Sequence, residues 1–364
     1  MRILYISTKK GWGGVVTWMC RTATGLGRRG HRVWVLSHPE SRLSRSAPGG
    51  IRLVARRLGM DYNPLMIAWL VGFIKRKGID LVVTNIRKEV IIGGVAARLA
   101  GIPNIRRIGN HDDLNNRVKW SQEHLVDHNI IPCNLILEEA RRRLPWVVPS
   151  QFTTVYNGVN PVDFSDGEIA KIRKGWGLAR EHLVVGCTSG LAKVKRIDAL
   201  ISVFAGLRVK HPEVRLVIAG EGPEEAGLRE KAREAGAGDS VVFAGFTADP
   251  AMVAAAYDIA VLNSSIEGFP NVLVEYMAAG KPVVSTRVGG VTEILEDRKN
   301  GLLVEPGDTD GLTKALLELM RDRETRDRLG REARRKVEAG FTEDKMLDRL
   351  EALFSRLAGT GRSG

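Results

Sequence analysis

The sequence predicts an α/β fold made of two consecutive parallel-sheet domains. Three observations carry that expectation. Apolar runs of strand length alternate with helical stretches along the chain, the alternation restarts after a polar, glycine-containing stretch at residues 160–177, and 364 residues exceed one typical domain of roughly 100 to 200. Residues 3–7 read as a buried strand and 9–14 as a glycine-containing loop, leading into a helix that ends near Gly30. Residues 31–36 and 80–84 give further strands around a helical stretch at 64–77, and the alternation continues through 90–100 and 105–108. A second β-rich start at 182–187 opens the other half, with strands at 216–219, 241–244, 259–262 and 283–285. Near the end, Met346, Leu347, Leu350, Leu353, Phe354 and Leu357 share one helical face, so residues 341–358 should dock, and 359–364 read as a frayed tail. The expected division is 1–162, 175–340 and the closing helix. Ligands of doubly wound sheets sit beyond the carboxyl ends of the strands, so two such domains facing each other would share one cleft.

Bulk composition narrows the function classes. With 44% hydrophobic and 27% charged residues and no low-complexity tract or repeat, the chain is that of an ordinary globular protein. Cys20, Cys133 and Cys187 lie far apart without metal-ligand spacing, so neither a disulfide framework nor a zinc site is expected, and a reducing cytoplasm fits. The opening Met1-Arg2-Ile3-Leu4 is strand-like rather than a signal peptide, and no apolar run reaches the roughly 20 residues of a membrane span. The expected location is cytoplasmic, either free or peripheral on the inner face of the membrane.

The net charge of +13 is lopsided: residues 1–160 carry 25 Lys+Arg against 10 Asp+Glu, and the remainder 30 against 32. Such asymmetry suits an anionic partner at the first half, whether nucleic acid, an anionic membrane face or a phosphorylated acceptor, or else a solvated basic surface. Aromatic residues, 6% of the chain, do not interleave with basic ones, which disfavours nucleic acid. Residues 65–77, apolar with a basic end, read either as a core helix or as a membrane-interface contact.

The densest chemical signal is Glu267-Gly268-Phe269-Pro270-Asn271-Val272-Leu273-Val274-Glu275, a pair of carboxylates separated by seven residues. It follows the apolar run 259–262 and the polar Asn263-Ser264-Ser265. Glu267 is expected in the loop at a strand's carboxyl end, Asn271 at the start of a helix whose amides favour an anion, and Glu275 about one turn further. An ionised glutamate accepts hydrogen bonds from paired hydroxyls, so one carboxylate suits sugar hydroxyls and the other a ribose diol. Taken alone, the segment reads equally as a loop and helix start with two solvated glutamates.

These residues resemble the family 4 glycosyltransferases, retaining enzymes of the GT-B fold. The similarity extends to Tyr156-Asn157-Gly158-Val159-Asn160 with Phe164, to Ile218-Ala219-Gly220-Glu221-Gly222-Pro223, and to Phe243-Ala244-Gly245-Phe246. It continues in Gly280-Lys281-Pro282-Val283-Val284 with Gly289-Gly290 and Glu293, in Asn300-Gly301-Leu302-Leu303-Val304, and in the closing amphipathic helix. It therefore spans nearly the whole chain. The fold it implies is two facing Rossmann-like domains, the first on the acceptor side and the second binding nucleotide-sugar, with the last helix crossing back to the first.

The resemblance also implies roles. Lys195 aligns with the lysine that neutralises the donor diphosphate, whose departure leaves negative charge to stabilise. The usual arginine five residues earlier is replaced by Gly190, and Lys193 is a candidate to supply the missing charge; the same Lys193, Lys195 and Arg196 also read as a basic loop before a helix. Gly13 and Gly14 resemble the family's glycine loop, where backbone amides approach a phosphate, although a plain tight turn fits them too. His111 matches a histidine that contacts the transferred sugar, with Asp112 and Asp113 as alternative helix-capping residues. Glu267 is then a donor-positioning group rather than a nucleophile, Gly268, Phe269, Pro270, Asn271 and Glu275 complete the donor site, and no metal or other cofactor is expected. The implied activity is transfer of a hexose-type unit from a UDP- or GDP-sugar to a glycan or lipid-linked acceptor in surface polysaccharide or lipopolysaccharide synthesis. A sugar-nucleotide epimerase on the same scaffold would need no acceptor. An NAD-dependent oxidoreductase is disfavoured, because Gly11-Trp12-Gly13-Gly14 stands where Gly-x-Gly-x-x-Gly would follow the first strand.

Overall fold

The computed structural model describes residues 1–11, 13–45, 49–60, 62–110, 113–247 and 249–359. The chain forms two compact units, Met1–Asn157 together with the C-terminal segment from Glu343, and Gly158–Thr342.

In the first unit the described residues form a seven-stranded parallel sheet of order β3-β2-β1-β4-β5-β6-β7. The strands are β1 (Arg2–Ser7), β2 (Arg32–Ser37), β3 (Arg52–Ala55), β4 (Leu81–Thr84), β5 (Asn104–Arg107), β6 (His128–Ile131) and β7 (Phe152–Thr154). Alternate side chains of β1 serve opposite faces. Ile3 and Tyr5 join Met19, Ala23 and Leu26 of the helix Gly14–Arg28, while Leu4 and Ile6 join Leu70, Phe73 and Ile74 of the helix Pro64–Lys77. Covering both faces is what an all-parallel sheet requires. The helix Pro64–Lys77 starts where Asn63 accepts the Met66 amide with Pro64 in the first turn, and stops at Gly78 in the left-handed conformation, φ 60°.

The last helix, Glu343–Gly359, is part of this first unit. Its Met346, Leu347, Leu350, Leu353 and Phe354 are buried in the same cluster as the helix Gly14–Arg28. Leu347 lies so close to Gly25 that an added Cβ there would fall 2.5 Å from its Cδ1. Arg29 reaches Asp348 and Glu351 at 2.7 Å each, and His31 Nε2 lies 2.6 Å from Glu351 Oε1.

The second unit, among the described residues, is a six-stranded parallel sheet of order β10-β9-β8-β11-β12-β13. Its strands are β8 (Leu183–Thr188), β9 (Val214–Ala219), β10 (Val241–Gly245), β11 (Ile259–Leu262), β12 (Val283–Thr286) and β13 (Leu302–Val304). The polar stretch at 160–177, which reads as a boundary in sequence, contains a helix, Asp166–Gly175, opened by a capping box between Ser165 and Glu168. Arg173 ties that helix to the Ala256 carbonyl and to Asp258, both at 2.9 Å, and Trp176 stacks on Tyr257. These contacts draw the segment into the second unit, which starts at Gly158 rather than near residue 175. No helix among the described residues is long and apolar enough to cross a membrane.

Candidate active site

Chemistry-bearing residues of the second unit gather past the carboxyl ends of β8, β9, β11 and β12, where a parallel sheet presents its ligand edge. A one-turn 3-10 helix, Lys193–Lys195, follows β8 and breaks at Arg196, whose φ of 48° is left-handed, before the helix Ile197–Arg208 begins. A non-glycine residue rarely adopts that conformation without support. Here Asn263, just past β11, donates to the Arg196 carbonyl at 3.0 Å, and the Ser265 amide donates to the Val194 carbonyl at 2.8 Å. The two loops are thereby sewn together. The outcome is an ion pair, Lys195 Nζ to Glu267 Oε1 at 2.6 Å, with the side chains 24% and 10% exposed.

Glu267 is oriented from a second side. Ser264, fully buried, donates its hydroxyl to the same Oε1 at 2.6 Å, and Thr286 at the end of β12 donates to the Ser264 carbonyl at 2.6 Å. Gly290 N donates to Gly268 O at 2.7 Å. Gly289, at φ 51°, is required by this approach, since a Cβ there would fall 1.8 Å from the Glu267 carbonyl oxygen. Gly220 at the end of β9, at φ 142°, is required in the same way by the Ser189 carbonyl. The helix Asn271–Ala278 follows Pro270, and Glu275, one turn in, is 4% exposed.

A buried phenol network fixes β8 beneath the loops. The Thr188 amide donates to Tyr276 Oη at 2.5 Å, and Thr188 Oγ1 lies 2.8 Å from Tyr257 Oη. Burial holds both phenols well above the ordinary tyrosine pKa and pushes the neighbouring Cys187 thiol up to about 11, so all three stay protonated at neutral pH.

Lys193 lies apart from this pair, lining a cavity of about 450 Å3 with Asp198, Glu224 and Lys231. At Gly190 an added Cβ would meet nothing within 4 Å, so neither packing nor a left-handed φ explains the loss of the family arginine. The Asp-x-Asp spacing at Asp308-Thr309-Asp310 belongs to a helix start, where Asp308 Oδ1 accepts the Gly311 amide at 2.8 Å and caps the helix Thr309–Arg321.

In the first unit, Gly13 is extended at φ 176° and its carbonyl accepts Thr17 N at 3.0 Å as the helix Gly14–Arg28 begins. A Cβ at Gly13 would meet nothing within 4 Å, so local packing does not demand glycine. His111 and Asp112 lie outside the described residues. Asp113 caps a turn rather than a helix: its Oδ2 accepts the Gly109 and Asn110 amides at 2.9 and 3.0 Å. Arg106, nearly fully buried, donates to the Asp113 carbonyl at 2.8 Å, to Gln122 at 3.0 Å and to the Asn85 carbonyl at 3.2 Å. Burial lowers Arg106 and Arg107 to about 10, with Asp113 opposing, so both remain cationic at neutral pH. These arginines carry no signal in the sequence, because they occupy strand positions where an apolar residue is the ordinary expectation.

Comparison with known proteins decides the family. Residues 168–336 match the model for glycosyl transferases group 1, and residues 12–163 match that for glycosyltransferase family 4. The chain belongs to the family 4 glycosyltransferases. It is 28% identical to an N-acetyl-alpha-D-glucosaminyl L-malate synthase of Bacillus anthracis over 68% of this chain and 64% of that protein. It is also 35% identical to the lipopolysaccharide core biosynthesis glycosyltransferase LpsE of Rhizobium meliloti, over 44% of this chain and 47% of the relative. These matches thus span between about half and two thirds of the relatives' length. Among solved structures, Anabaena Alr3699/HepE in complex with UDP and glucose superposes with a TM-score of 0.86 at 22% identity, over 98% of this chain and all of that one. That likeness is one of fold and identifies the GT-B class of two Rossmann-like domains.

Proposed function

We propose that this protein transfers a hexose-type unit from a UDP- or GDP-sugar to a hydroxyl of a glycan or glycolipid, with retention and without a metal, in the synthesis of surface polysaccharide or lipopolysaccharide. The observation that carries the reading is the Lys195–Glu267 pair at the carboxyl edge of the second sheet. An ammonium has three donors, so Lys195 keeps two for the donor's phosphate oxygens while Glu267 holds it in place. As the bond from the anomeric carbon to the diphosphate breaks, Lys195 and the first amides of the helix Asn271–Ala278 neutralise the departing charge. The acceptor oxygen bonds to that carbon on the same face, and its proton passes to the leaving phosphate oxygen. Glu267 and Glu275 grip sugar and ribose hydroxyls, and Gly13, Gly14 and His111 serve as the family resemblance implies. HepE, whose solved complexes contain UDP and UDP-glucose, and LpsE, named for lipopolysaccharide core synthesis, support the donor and product classes.

The basic first unit supplies an acceptor-side surface suited to phosphorylated or membrane-borne acceptors. Met60, Tyr62 and Leu65, which are 80%, 63% and 82% exposed, lie at the start of the helix Pro64–Lys77, whose last turn is Lys75-Arg76-Lys77. Exposed apolar groups beside basic ones suit an anionic membrane interface.

A thermal-shift screen over nucleotide sugars, followed by transfer assays, tests the reading. A donor at a hundredfold its Kd raises stability by about 2.7 kcal/mol. Lys195→Ala and Glu275→Ala are expected to keep the wild-type circular dichroism and lose turnover by about 100-fold or more. Wild-type rates in both variants, or full donor conversion without any acceptor, would overturn the assignment, the latter in favour of an epimerase.

A further inference from the structure

A second concentration of charge lies at the opposite edge of the second unit's sheet, where β8, β11 and β12 begin rather than end. Arg173, Arg180, Glu181, Asp258, Lys281 and Arg326 line a cavity of about 460 Å3 there. Their charges do not cancel. Arg173 is matched by Asp258 at 2.9 Å, whose other oxygen accepts the Val184 amide at 2.7 Å. Arg323 and Asp327, also on the rim, pair with each other at 3.6 Å. Arg326 donates from Nη1 to the Leu319 and Met320 carbonyls at 2.5 and 3.0 Å, and its charge is felt by Asp322 one turn earlier. Among the described residues, Lys281 and Arg180 form no ion pair and no side-chain hydrogen bond, and Glu181 has no basic partner. The cavity lining thus carries five cations, Arg173, Arg180, Lys281, Arg323 and Arg326, against three carboxylates, Glu181, Asp258 and Asp327. Burial pushes the Lys281 ammonium below the ordinary lysine pKa, Asp258 opposes the shift and Arg173 adds to it. Holding a desolvated cation among other cations is costly unless an anion joins them.

We propose that this cavity binds a phosphate monoester carried on a hydroxylated body, of the sugar-phosphate class. The phosphate dianion matches the surplus of positive charge and takes charge-assisted hydrogen bonds from Lys281 and Arg180. Hydroxyls of the same molecule donate to Glu181, which bare phosphate at neutral pH serves less well. The site lies at the strand starts, whereas Lys195 and Glu267 lie past the strand ends, so its ligand is held and not turned over. The proposal stands independently of the catalytic reading.

Isothermal titration of the full chain with glucose 6-phosphate, orthophosphate and glucose tests it, using wild type, Lys281→Met, Arg180→Ala and Lys195→Ala. Glucose 6-phosphate is expected to bind with a Kd of about 1 mM or tighter. Its affinity should fall by about tenfold or more in Lys281→Met and Arg180→Ala and stay unchanged in Lys195→Ala. Orthophosphate should bind more weakly and glucose not at all. Arg180 is exposed, so its variant keeps the test decisive should Lys281→Met fail to fold. Absence of binding, orthophosphate binding as tight as the ester, or loss in Lys195→Ala with retention in Lys281→Met would overturn the proposal.

Discussion

Glu267 receives two donors on one oxygen, the Lys195 ammonium and the Ser264 hydroxyl, while its Oε2 has no hydrogen-bond partner among the described residues. The carboxylate is thus fixed in direction by one oxygen and free to accept a ligand hydroxyl with the other. That precision rests on Gly289. Gly289→Ala combines a left-handed φ with a collision against the Glu267 carbonyl, and is expected to cost about 1–3 kcal/mol of stability. Turnover should fall by more than that loss accounts for, because the carbonyl that must yield belongs to Glu267 itself. Urea denaturation paired with transfer rates under conditions where the variant is folded checks this, and wild-type kinetics in the folded variant would refute the coupling. Lys195 and Glu267 were legible in the sequence because their spacing and neighbours form a recognisable pattern. Arg196, Asn263, Ser264 and Thr286, which hold the pair in place, were not. Each acts through a partner on another loop, and nothing in local residue order announces a hydrogen bond that only the folded sheet creates.

At the scale of elements, legibility followed burial by apolar side chains. β1, β4, β8, β11 and β12 are nearly continuous apolar runs, and the helix Pro64–Lys77 is bracketed by Asn63, Pro64 and Gly78, so these elements could be read in advance. β6 could not. It carries His128 and Asn129 in the interior, satisfied by the Thr153 hydroxyl at 2.8 Å and the Gln122 amide at 3.0 Å, and a buried polar residue with a distant partner imitates a loop in sequence. β3 is an edge strand opening on exposed Arg52, and β13 has three residues, too few to show a period. The last helix was readable from its apolar stripe, and its depth of burial sets its energetic weight. Leu350 is fully buried between the helices Glu343–Gly359 and Gly14–Arg28, so Leu350→Ala is expected to cost about 2–5 kcal/mol, read as a lower denaturation midpoint. A cost below about 1 kcal/mol would show that the helix contributes little to the first unit.

For the whole molecule, the net excess of positive charge in the first 160 residues makes any association with anionic surfaces a matter of ionic strength. The screening length falls from about 30 Å at 0.01 M salt to about 3 Å at 1 M. The protein should therefore sediment with anionic vesicles at low salt, release at high salt, and ignore neutral vesicles throughout. Charge-reversing Lys75, Arg76 and Lys77 to glutamate should weaken that association. Equal recovery in the supernatant with both vesicle types at low salt would remove the membrane contact. The division of the chain carries a further implication for how it is made. The core beneath the helix Gly14–Arg28 stays open until Met346 to Phe354 arrive, so a nascent first unit cannot close until the entire second unit has left the ribosome. At about 5–20 residues per second that wait lasts roughly ten to forty seconds, the time in which the second unit itself is made.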